Sequence, residues 1–251
     1  EAGHAMDSMN GMIEISALSK SFGPVEVLRS ADLTVGRGRV LAIVGPNGAG
    51  KTTLIKSILG LTHPDNGRIT IDGATIGGDD AYRARIGYMP QIGRFPENLS
   101  ARDLFAMLKD LRGGTAVVDE ALIDRLAIRD QLDKPLRVLS GGTKQKVNAA
   151  LAFLFSPELF ILDEPTAGLD PLSSSILKDA ILALRSAGKT FVLTSHVMSE
   201  LEELADDVAF LLNGKMLFVG ALDDLKKITH QVTLERAVAS LMTPAVAGPT
   251  R

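Results

Sequence analysis

Short apolar strands alternating with amphipathic helices predict an α/β fold built on a mixed, largely parallel sheet. Three observations carry that expectation. VLAIV (40–44) runs through a glycine-rich turn into TTLIKSILG, LFILD (159–163) leads to the helix SSILKDAILALRSAG, and FVLTSH (191–196) leads to a helix over 197–205. Strands joined by helical crossovers pair in parallel and are covered on both faces, so their sequences read as unbroken apolar runs.

The elements follow in order. EAGHAM has neither the basic start nor the apolar block of a signal peptide and reads as an expression remnant over 1–8, with Met6, Met9 or Met12 as the native start. IEISAL, ADLTV and RITIDG are β-type runs broken by glycine-rich turns. From Ser100 the period changes. SARDLFAMLKDL opens on a capping box, Ser100 with Asp103, and sets Leu104, Met107, Leu108 and Leu111 on one helical face. EALIDRLAI continues at the same period, so 95–155 reads as a helical insertion into the α/β core. The second core helix stops at Gly188, and VAFLLNGKMLFVG is a hairpin turning at Asn213 and Gly214.

The chain has 251 residues, 45% of them hydrophobic and 23% charged, with a net charge of -3, enough for one sizeable domain with a buried core. The mildly acidic balance argues against a nucleic-acid partner, which calls for a basic face. There is no cysteine, which removes disulfides and thiolate metal sites. No apolar run reaches the roughly 18 residues that cross a bilayer, so no direct membrane span is expected.

Gly45 to Thr52 reads GPNGAGKT and matches G-x-x-x-x-G-K-[ST] between a strand and a helix, the context that motif requires. Gly45, Gly48 and Gly50 let the backbone bend around phosphate oxygens, with Pro46, Asn47, Ala49 and Thr53 completing the cradle. Lys51 neutralises the β and γ phosphates of ATP, and Thr52 ligates Mg²⁺. Asp163 and Glu164 end the LFILD strand as adjacent carboxylates. If the first lies beside the magnesium and the second points at the γ phosphate, Asp163 is the metal-side acid and Glu164 the group that polarises an attacking water; an acidic loop after a strand is the other reading. These residues predict a P-loop NTPase core. A second glycine-opened helix start, LSGGTKQKV from Leu139, offers free N–H groups to another anion. One complete phosphate loop plus one orphan anion site suggests a dimer in which each chain serves the other.

GPNGAGKT, LSGGTKQKV, LFILDEPTAGLD and LTSH, in this order and spacing, resemble the ATP-binding subunit of ABC transporters over residues 12 to about 220. The resemblance implies one ABC ATPase domain at 12–220, its α/β core at 12–94 and 156–220 with an antiparallel β subdomain, its helical signature subdomain at 95–155, and a short tail at 221–251. It implies a Mg²⁺-dependent ATPase whose two copies meet head to tail. Ser140, Gly141 and Gly142 then cover the γ phosphate held by the other copy, and Asp170 crosses between them. Gln91 is similar to the glutamine that touches Mg²⁺ and the water, and His196 to the switch histidine at the γ phosphate. Phe22 resembles the aromatic stacked on adenine, with core packing as its alternative, and Val27 joins the same nucleotide-binding set. Thr143 and Lys144 depart from the family's commoner Gln and Arg.

The family implies a separate integral-membrane permease, which holds the subunit at the inner face of the cell membrane and seats on RFPENLSARDLF. Phe95, Leu99 and Leu104 are candidate contacts there, with helical-lobe core as the other reading. The tail ALDDLKK and TLERAVASLM resembles that of ABC-2 type exporters. YMPQIGRFPENLS with LSGGTKQKVNAALAFLF is similar to the subunit of copper-processing exporters of nitrous oxide reductase maturation, although the residues supply no copper chemistry of their own. The alternative is a soluble ABC ATPase of translation or DNA repair. Those types carry tandem domains or long coiled coils, and this chain has neither.

Overall fold

The computed structural model describes residues 11–78 and 80–242, so the proposed remnant at 1–8 and the last part of the tail lie outside the described residues. The chain divides into two compact units. Among the described residues the first comprises 11–36, 40–77 and 195–242, and the second 37–39, 78 and 80–194.

The first unit opens with β1 (Gly11–Phe22) and β2 (Val25–Gly36), which pair antiparallel, then β3 (Val40–Val44) and α1 (Lys51–Ile58). β4 (Asn66–Ile71) pairs antiparallel with β1, and β5 (Ala74–Thr75) with β4, giving the antiparallel order β2-β1-β4-β5. β1 buries Met12, Ile13, Ile15 and Leu18, and its register with β2 shifts between Ile15 and Leu18, where Ala17 turns to φ 50°.

In the second unit β6 (Ile86–Met89) is followed by α2 (Ala101–Leu111), α3 (Ala121–Arg125) and α4 (Gly141–Phe153), and then by β7 (Leu159–Asp163), α5 (Pro171–Ser186) and β8 (Thr190–Thr194). β6, β7 and β8 pair in parallel, and every residue of β7 and β8 is buried, as their unbroken apolar runs require. Phe160 lies at the centre of this core, with ring centroids 4.7 Å from Phe153 and 4.6 Å from Phe191.

The capping box of α2 is present: Ser100 Oγ accepts from the Asp103 amide at 3.1 Å, and Asp103 accepts from the Ser100 amide at 2.8 Å. The expected apolar face is only half used. Leu104 is buried, whereas Met107 and Leu111 are 45% and 76% exposed. The helix expected over EALIDRLAI shortens to α3, because Ala127 turns into the left-handed region at φ 53.

Returning to the first unit, α6 (Met198–Leu204) leads into β9 (Asp207–Leu212) and β10 (Lys215–Ala221), then α7 (Leu222–Thr229) and α8 (Leu234–Met242). β9 pairs parallel with β3 and antiparallel with β10. Asn213 and Gly214 close the hairpin with φ of 48° and 79°, the two left-handed residues of a type I′ turn.

Candidate functional site

β3 ends inside the first unit and the chain then wraps a loop over 45–50 before α1 begins. Two glycines in it are dictated by their surroundings. A Cβ on Gly45 would lie 2.2 Å from the Leu211 carbonyl, and one on Gly50, at φ 111°, would meet the Val27 carbonyl at 2.9 Å. The loop is therefore pressed against β9 and β2, with Ala49 N–H donating to the Pro46 carbonyl at 3.1 Å across its turn. Gly214 N–H donates to Ala49 O at 3.2 Å and so ties the β9–β10 hairpin to the same loop.

α1 begins at Lys51 with Gly50 as N-cap and no acidic residue in its first turn, which leaves its positive end unneutralised. Lys51 Nζ donates to the carbonyls of Gly45 at 2.6 Å and Pro46 at 3.2 Å, setting the ammonium over the loop backbone. Asn47, Gly48 and Thr52 are exposed, and Thr53 half-buried. This is a cradle for a polyphosphate. Phe22 ends β1 and is 52% exposed, which rules out the core reading; Lys20 Nζ stands 5.4 Å from its ring centroid. Val27 is half-buried and lends its carbonyl to the wall beside Gly50. His196 is exposed in the turn after Ser195, whose Oγ accepts from the Val197 amide at 3.0 Å.

In the second unit Asp163 is 8% exposed at the end of β7 and accepts from Thr194 Oγ1 at 2.5 Å. Glu164 is half-buried and holds a left-handed backbone, φ 51°. Gln91 is exposed just beyond β6. Burial first, and then the charge of Asp163, raises the phenol pKa of Tyr88 on β6 above its ordinary value.

Ser140 caps α4, its Oγ accepting from the Thr143 amide at 3.2 Å and lying 2.9 Å from Thr143 Oγ1. The unusual Thr143 thus joins the cap, and Lys144 pairs with Glu97 at 3.7 Å. Gly141 is open, with nothing within 4 Å of an added Cβ. Asp170 serves its own chain here: it caps α5 through Ser173 N at 2.9 Å and Oγ at 2.7 Å, and pairs with Lys146 at 3.0 Å. Leu104 belongs to the core, which removes it as a partner contact. Phe95 and Leu99 are half-buried, and Phe95 lines a groove of about 290 Å³ with Tyr88, Leu108, Arg112, Asn148 and Phe155.

Sequence reasoning missed Thr194 and Asn148. The Asn148 amide donates to the Pro90 carbonyl at 2.8 Å beside Gln91. Both are polar residues within apolar runs, a visible signal, but their partners depend on register and helix phase.

The family model described as "ABC transporter" matches residues 28–167, which takes in the loop over 45–50, the α4 start and the end of β7. The chain belongs to the ABC transporter family. This ABC ATPase is 34% identical over 229 residues to the lantibiotic transport ATP-binding protein SrtF of Streptococcus pyogenes, covering 90% of this chain and 99% of that one. It is 32% identical over 227 residues to the Nod factor export ATP-binding protein I of Ralstonia nicotianae, covering 88% of this chain and 70% of the relative. A solved ATP-binding subunit of an ABC transporter superposes with a TM-score of 0.84 at 31% identity, over 92% of this chain and 100% of that one. The α/β ATPase fold is thereby established, and the translation or repair alternative is not favoured.

Mg²⁺ is implied by the family, and each unit, taken by itself, carries oxygen donors of the kind that ion takes. Thr52 in the first unit and Asp163 and Gln91 in the second offer hard oxygen ligands. Among the described residues no group of three or more His, Cys, Asp or Glu could hold a metal ion.

Proposed function

We propose that this chain is the ATP-hydrolysing subunit of an exporter, and that two copies close head to tail on ATP to drive a separate membrane permease. The observation that carries this reading is the pair of helix starts suited to phosphate. One is a complete loop ending in Lys51; the other, at Ser140 to Gly142, opens on an exposed serine and glycine, with its Thr143 hydroxyl at the Ser140 cap and its Lys144 paired with Glu97. A second start of that kind is explained by a neighbour's nucleotide.

In this reading Gly45, Pro46, Asn47, Gly48, Ala49, Gly50, Lys51, Thr52 and Thr53 hold the phosphates, with Phe22 and Val27 on the base side. Lys51 balances charge on the β and γ oxygens. Glu164 polarises water for attack on the γ phosphorus, and His196 and Gln91 hold the γ phosphate and the water in line. Thr52, Asp163 and Gln91 would hold Mg²⁺, which when bound neutralises phosphate charge. Ser140, Gly141 and Gly142 donate to the partner's γ phosphate, and Asp170 reaches the same interface once Lys146 releases it.

Export is supported by the relative named as a Nod factor export protein, and transport by the one named as a lantibiotic transport protein. No helix among the described residues is long and apolar enough to cross a membrane. In this reading, which rests on relatives named as transport and export ATP-binding proteins, a permease supplies the span and holds this subunit at the inner face of the membrane. The groove beside Phe95 is the seat we assign to it.

Light scattering of Glu164→Gln with ATP and Mg²⁺ tests the dimer. Blocked water activation traps the closed state, so a shift from monomer to dimer is expected. A monomer under saturating ATP would require the homodimer to be withdrawn.

A further inference from the structure

The last residues of two parallel strands stand in register, Asp163 of β7 opposite Thr194 of β8. Thr194 is 1% exposed, and its single hydroxyl is used twice. It donates to Asp163 Oδ1 at 2.5 Å and accepts from the Glu164 amide at 3.1 Å. The Glu164 amide also donates to the Thr194 carbonyl at 3.1 Å. Glu164 therefore leaves the strand at φ 51°, a conformation a glutamate avoids unless its surroundings impose it.

We propose that Thr194 is the positioning residue of the hydrolytic centre, orienting both carboxylates through one hydroxyl. The inference rests on the reading of Glu164 as the residue that polarises water. A donor to a carboxylate makes a short, strong, directional bond, so Thr194 fixes the plane of the Asp163 carboxylate. The acceptor side of the same oxygen anchors the amide that sets where the Glu164 side chain departs. Reactive geometry tolerates little angular error, and small errors in it cost rate rather than binding.

Valine and serine separate this role from simple packing. Thr194→Val keeps the branched shape and removes donor and acceptor together; Thr194→Ser keeps the hydroxyl and loses a methyl. A residue needed only for packing on a buried strand ranks Val above Ser. The positioning role ranks Ser far above Val.

The test measures ATP hydrolysis of the full chain over ATP and Mg²⁺ concentration, nucleotide affinity by displacement of a fluorescent ATP analogue, and thermal unfolding. Thr194→Val is expected to lower kcat by about tenfold or more, with ATP affinity within about threefold and a higher Mg²⁺ requirement for binding. Thr194→Ser is expected to keep at least about a third of kcat. Unchanged kcat in Thr194→Val, or a Ser variant no better than Val, overturns the proposal. If Val does not fold, Ala replaces it: both Ala and Ser lack the methyl, and equal activities overturn the proposal while a Ser advantage of about tenfold supports it. Glu164→Gln is measured alongside. Wild-type hydrolysis there removes the water-activation reading and this inference with it, whereas an inactive Glu164→Gln beside a fully active Thr194→Val removes the inference alone.

Discussion

Lys146, one turn into α4, sets its Nζ 3.0 Å from Oδ2 of Asp170, the residue that caps α5. The Ser173 hydroxyl and amide, and then Lys146, hold the Asp170 carboxyl well below the usual carboxylate range. A depressed folded-state pKa contributes stability that is present above the unfolded value, about 4, and lost as pH falls towards the folded one. Urea midpoints at pH 7, 5 and 3 should therefore fall more steeply for the wild type than for Asp170→Asn. Parallel curves would mean that the pair adds nothing.

Gly45→Ala places a methyl 2.2 Å from the Leu211 carbonyl, at a contact made of backbone on both sides. The loop must move, since neither wall can. Overpacking of this kind costs about 1–3 kcal/mol, and it falls on the phosphate cradle itself. ATP affinity by nucleotide titration is expected to drop by about tenfold or more, since each 1.4 kcal/mol is a factor of ten.

Ser100→Ala removes the acceptor for the Asp103 amide and the hydroxyl that contacts Asp103 Oδ2 at 2.6 Å. Losing such a cap costs about 1 kcal/mol, or roughly 2–4 °C in Tm for a chain of this size. Hydrolysis at 25 °C should be unaffected, which a melting curve and a rate assay on one sample would check.

Phe95→Ser tests the permease seat. Its ring lies close to Gly93, where an added Cβ would lie 2.6 Å from Phe95 Cε2, and it lines the groove together with Asn148. Nucleotide affinity is expected within about twofold of wild type, while co-purification with the permease falls by about tenfold, the size of one lost aromatic anchor. Loss of folding in a melting curve would remove Phe95 from the seat and return it to the core.

The phosphate loop, the capping box and the Asn213-Gly214 hairpin were legible because each is fixed by local geometry: positive φ, a cap three residues long, a two-residue turn. Leu111 misled for the opposite reason. Its helical phase was right, but only neighbouring elements decide whether an apolar face is covered, and α2 leaves Leu111 76% exposed. Asp170 shows a second limit. Its motif marked it as important, and only the packing of α4 near α5 reveals that Lys146 and Ser173 hold it within its own chain. Thr194 was hidden in FVLTSH because strand register, which sets it opposite Asp163, is a long-range property.

The hydrogen bond from Gly214 to Ala49 and the close approach of Gly45 to Leu211 make the nucleotide loop a product of sequence more than 160 residues downstream. The N-terminal segment carries the recognisable motif but not the wall that shapes it. A fragment ending before 207 would keep every letter of GPNGAGKT and lose the mould in which it sets. Drift in an unremarkable-looking hairpin can therefore silence this ATPase as surely as a change in the motif.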